Sequence, residues 1–153
     1  MYKLADMEML FNPDLAIVAK RVPKGIICLI SALDFHEKTT EIPHAVHVAV
    51  PRTNRDPKLD YPPIKTYRFS GDSLTKGIEK HEIDGAEVQI YSPAKTIADC
   101  FRFRNKIGLG ISIKALKQGI EQGKASCSDI LRFAKISRVK SVIKPYLEFI
   151  AHG

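Results

Sequence analysis

Several side chains in this sequence are of the types that catalysis and metal binding use, so their spacing is weighed first. His36-Glu37 opens the H-E-x-x-H pattern in which two histidines one helical turn apart hold zinc, but Thr40 stands where the second histidine belongs. His44 and His47 lie three apart in a stretch with strand alternation, which puts them on opposite faces and leaves a metal without two ligands from one side. Gly108-Leu109-Gly110 lacks the third glycine and the preceding strand of a dinucleotide loop, and reads as a tight turn. Gly71-Asp72-Ser73 has the small residues of a nucleotidyltransferase turn without the Asp-x-Asp pair that two metal ions need. Cys100 falls between Ile97 and Phe101 at helical spacing, a buried position, and Ser31 has no G-x-S-x-G elbow around it. No acid, base and nucleophile assemble, so no catalytic residue, metal or cofactor is expected. Asp99 stands apart from these: it borders the stripe Ala94, Ile97, Ala98 and Phe101, and Arg102 is three residues on. That spacing suits a pair on the helix surface, worth under about 1 kcal/mol if exposed.

The elements that must position these residues change character along the chain. Leu10, Phe11, Leu15, Val18 and Val22 give residues 7–22 an imperfect helical face, with Pro13 as a break or a fresh first turn. Pro23-Lys24-Gly25 punctuates, and the apolar run from Ile26 to Leu33, continued by Asp34 to Lys38, is expected to be a second, buried helix. The period then shifts to two: Val46, Val48 and Val50 alternate in a half-buried strand. A polar stretch with Pro51, Pro57, Pro62 and Pro63 should be a long exposed loop. Residues 64–69 form a second strand, Asp72 to Gly77 a helical turn, and Asp84-Gly85 a two-residue hairpin between alternating segments. Ser92-Pro93 starts a helix with serine as N-cap and proline in the first turn. Helices fill the rest: Ile113, Leu116 and Ile120 on one, Ile130, Phe133 and Ala134 on the next after Gly123 with Ser126 or Ser128 as cap, and a last one kinked by Pro145. The expected architecture is a single α+β domain over 1–153, with helices in 1–40, a small, mostly antiparallel sheet of about four strands in 44–91, and helices in 92–152.

Composition bounds the partners. The chain has 153 residues and a formal net charge of +7, and at this length folding buries roughly 68–70% of the unfolded chain's surface without a disulfide or metal. The charge is uneven: residues 1–50 hold 5 basic and 6 acidic side chains, 51–100 hold 8 and 8, and 101–153 hold 11 and 3. A polyanion or an acidic protein surface is therefore the natural partner of the last third. Lys114, Lys117, Lys124, Arg132, Lys135, Arg138, Lys140 and Lys144 are the candidates for that surface. Cys28, Cys100 and Cys127 form no CxxC or regular framework, which suits a reducing compartment. The longest apolar run, Ile26 to Ile30, is far short of the ~20 residues of a membrane span, and no basic-then-apolar leader opens the chain. A cytoplasmic protein with no membrane partner is expected.

Two segments carry a family resemblance. Pro23-x-Gly25-x-Ile27-Cys28-Leu29-x-Ser31-Ala32-Leu33-x-x-His36-x-x-Thr39 and Tyr91-Ser92-Pro93-x-Lys95-Thr96-x-x-Asp99, followed by Arg102-Phe103-Arg104, together resemble the C-terminal domain of the AbiEi family. AbiEi proteins are antitoxins of type IV toxin–antitoxin systems in bacterial abortive infection. The resemblance implies a non-enzymatic antitoxin and transcriptional-regulator domain in phage defence. It also implies a functional partner, a nucleotidyltransferase-like toxin of the AbiEii type, neutralised without a stable complex. It marks Ser31, His36, Thr39, Lys95, Thr96, Asp99, Arg102 and Arg104 as the motif residues. Family members usually carry an N-terminal winged helix that binds the promoter. Here Met1-Tyr2-Lys3-Leu4 resembles the strand that closes its wing, so DNA binding is expected to be weak or to depend on that missing module. Ala94 stands where relatives commonly have Glu. Two other classes compete with this reading: a metal-dependent enzyme acting on nucleic acid or nucleotides, with Asp72, Asp84 or Asp99 as ligands, and a helical module whose C-terminal stripe docks a protein.

Overall fold

The computed structural model describes residues 12–36, 45–53, 55 and 57–152, without the side chains of 151 and 152. Residues 7–11 of the first expected helix, Glu37, Lys38, Thr39 and His44 lie outside them. Helix α1 spans Pro13–Arg21, with the Asn12 side chain accepting from the Leu15 N–H and proline in the first turn, so Pro13 starts this helix. The run from Ile26 to Leu33 is not one helix. Ile26–Ile27 is a short strand, β1, and the chain turns sharply at Leu29, whose φ is 50°, into α2, Leu29–Phe35. The backbone of β1 is claimed from both sides: it pairs antiparallel with β2, Val46–Pro51, and parallel with β5, Ala86–Tyr91.

Strand β3, Ile64–Phe69, pairs with β2 in parallel, and β4, Ile78–Ile83, pairs with β5 through the Asp84-Gly85 hairpin. Asp84 has φ 51° and Gly85 φ 78°, both left-handed as a primed two-residue turn requires. Between β3 and β4 lies the single turn α3, Asp72–Thr75. The sheet runs β3-β2-β1-β5-β4, five strands in mixed orientation where about four mostly antiparallel ones were expected. The helices around it keep the fold α+β.

Alternation assigns the two faces of the sheet. Ile27, Val48, Val50, Val88 and Ile90 pack with Leu15, Val18 and Val22 of the α1 segment. Ile26, Ala49, Tyr67, Phe69 and Tyr91 pack against the later helices. Strand β2 is thus buried on both faces, not one; His47 and Ala49 are as enclosed as the valines. The later helices are α4, Pro93–Arg102; α5, Arg104–Ile107; α6, Leu109–Glu121; α7, Cys127–Ile136; and α8, Lys140–His152. Ser126 caps α7 by accepting from the Asp129 N–H at 3.1 Å. Helix α8 continues through Pro145, an exposed position, rather than ending there. Helix α7 closes in a Schellman motif: the Val139 N–H reaches the Ala134 carbonyl at 2.8 Å and the Arg138 N–H the Lys135 carbonyl at 3.2 Å. The left-handed position of that motif, usually glycine, is Arg138, at φ 62°.

Candidate functional site

The junction of β5 and α4 gathers most of the motif residues. Ser92 Oγ accepts from the Lys95 N–H at 3.3 Å, the N-cap expected from Ser92-Pro93. Just before it, the Tyr91 carbonyl is the acceptor for two motif side chains: His36 Nε2 donates to it at 2.9 Å and Thr96 Oγ1 at 3.3 Å. His36 closes α2 and Thr96 opens α4, so two segments 60 residues apart in sequence meet on one oxygen. Buried carbonyls need such partners, and this one lies where the strand ladder ends.

Inside the same junction sits a sealed ion pair. Lys95 Nζ donates to Asp99 Oδ2 at 2.5 Å, and both side chains are 0% exposed. The ammonium lies 3.9 Å from the centre of the Tyr91 ring and 4.8 Å from that of Phe69. Asp99 Oδ1 accepts from Ser137 Oγ at 3.0 Å, which ties α4 to the end of α7. Burial pushes the Lys95 ammonium below and the Asp99 carboxyl above their ordinary ranges, and each partner's charge opposes the other's shift. Gly77 is shaped to this pair: at φ 82° its missing Cβ would stand 2.8 Å from Lys95 Cβ and 2.9 Å from Phe133 Cε1. Tyr91 completes the enclosure by donating its hydroxyl to the Leu74 carbonyl at 2.6 Å. Among the described residues no buried side-chain nitrogen or oxygen lacks a partner.

The surface Asp99–Arg102 pair is therefore corrected. Helix α4 is buried from Ala94 to Phe101, because the sheet, α2, α6 and α7 surround it, and the cation that reaches the carboxylate is Lys95, one turn back. Arg102 instead donates to Ser73 Oγ at 3.4 Å and lies over the Phe69 and Phe103 rings, 5.1 Å from each centre. Arg104 Nη1 donates to the Phe101 carbonyl at 2.7 Å. Ser31 Oγ accepts from the His47 N–H at 2.9 Å and so anchors β2. Burial first, then the charge of Lys65, lowers the His47 imidazole to about 4. Thr39 lies outside the described residues.

Chemically this cluster is a clamp. Its ion pair has no solvent-facing atom with which to meet a substrate, and burial, seconded by the Asp99 charge, pushes the Cys28 and Cys100 thiols up, away from the reactive thiolate. The three aspartates considered as metal ligands stand apart by role: Asp72 opens α3, Asp84 turns the hairpin, and Asp99 has both oxygens engaged. Among the described residues no group of three or more His, Cys, Asp or Glu converges as a metal would need.

All eight basic candidates are exposed. Lys114 and Lys117 lie one turn apart on α6, and Lys124 follows in the turn after it. Arg132 lies 3.4 Å from Asp129 and over the Phe133 ring. Lys135, Arg138, Lys140 and Lys144 cluster in sequence around the turn from α7 to α8, where the Schellman motif brings Lys135 and Arg138 together. Sequence reasoning missed Ser137, Gly77 and the Phe69 ring beside Lys95, and quoted Tyr91 in the motif segment without a role. The i,i+4 spacing of Lys95 and Asp99 was a usable signal, but nothing local links Asp99 to Ser137. It also missed two clefts, one of about 430 Å³ beside Ser31 and Asp34 and one of about 290 Å³ beside Arg21. Neither a protein-family model nor a curated protein matches the chain.

Proposed function

We propose that this chain is a non-enzymatic antitoxin and regulator domain of the AbiEi kind, cytoplasmic, neutralising a nucleotidyltransferase-like toxin and assisting repression of its own promoter. The observation that carries the reading is the convergence at Tyr91. His36, Lys95, Thr96 and Asp99, drawn from the two segments on which the resemblance rests, belong to one connected cluster. Side chains from the two segments thus support one another across 60 residues, as the motif residues of one fold would. The motif then supplies architecture, and the working surface is the cationic exterior of α6 to α8. Contact there with phosphate is sequence-independent and salt-sensitive, because each Lys or Arg that meets a phosphate releases counterions. Among the described residues no helix is long and apolar enough to cross a membrane.

A metal-dependent enzyme is disfavoured by the engagement of both Asp99 oxygens, and a thermal shift with Mg²⁺ or Mn²⁺ would revive it. The direct test is co-expression with a nucleotidyltransferase-like toxin encoded beside the gene. Growth rescue by the chain is expected, along with its loss in Lys135→Glu/Arg138→Glu/Lys140→Glu at an unchanged melting temperature. Failure of the unaltered chain to rescue growth would sink the proposal.

A further inference from the structure

We draw no further inference here: the strongest candidate, the side-chain cluster at the edge strand β4 in which His81 Nε2 and, from the end of α2, His36 Nε2 lie 2.9 Å and 4.0 Å from one Glu79 carboxylate oxygen, carries nothing, because a pH-sensing role would rest on the charges around His36, and residues 37–44 that follow it, with Glu37, Lys38 and Glu41 among them, lie outside the described residues.

Discussion

Lys95 and Asp99 show how a charged pair can serve as an internal fastener. Removing one member leaves the other buried without a partner, which typically costs 3–5 kcal/mol, whereas replacing the whole set by apolar groups is often neutral or better. Asp99→Ala is thus expected to lose about 3–5 kcal/mol in urea unfolding. Lys95→Met/Asp99→Leu/Ser137→Ala should recover most of that loss; if the triple variant is as unstable as Asp99→Ala, the clamp is not electrostatic. His47 supplies the acid limit. Its folded value of about 4 lies below the ordinary 6.5, so as pH falls through 6.5 the unfolded chain takes up a proton that the folded chain refuses until about 4. Stability should fall across that window by roughly 2–3 kcal/mol. His47→Gln should flatten this part of the profile, compared in urea melts at pH 7 and pH 4.5. The sequence showed these two residues only in part. His47 was readable as a non-ligand, since a strand separates it from His44 by face. Asp99 was noticed but given the wrong partner, because the i+3 arginine is adjacent while the enclosure that selects Lys95 comes from four other elements.

Local chemistry decided the elements it could reach. Ser92-Pro93, Asp84-Gly85 and the Gly123–Ser126 connection fold as their side chains require, because caps and primed turns are settled within four residues. Pairing between distant strands is not settled locally. The segment 52–63 reads as an exposed loop, yet it is the crossover of a parallel pair, and parallel neighbours need about a dozen linking residues. The two-residue β1 is a strand only because β2 and β5 claim its backbone; by composition alone Ile26-Ile27 fits a helix equally well. Gly77, between α3 and β4, tests how tightly these elements are fitted. Gly77→Ala adds left-handed strain, about 1–3 kcal/mol for a non-glycine residue, to a collision with Lys95 and Phe133. A loss above about 2 kcal/mol is expected in thermal or urea unfolding. A loss under half of that would mean the junction is loosely packed.

At the scale of the molecule, one five-stranded sheet separates α1 from the later helices, and the excess charge of the last third is carried on the second of these layers. The +7 seen in the composition is therefore directional. For retention on duplex DNA, each phosphate contact adds about 0.9 to the slope of log affinity against log salt. Reversing Lys135, Arg138 and Lys140 should flatten that slope by up to about 2.7 if all three meet phosphate. An unchanged slope would assign them to solvent. The Schellman turn holding Arg138 carries a further consequence, for protein engineering. Arginine in a left-handed pose gives up about 1 kcal/mol that glycine would return, so Arg138→Gly should melt higher while removing a cation from the α7–α8 turn. A screen for thermal tolerance would favour that replacement, and a screen for polyanion retention would reject it. The position thus places heat resistance and charge in direct opposition within a single codon.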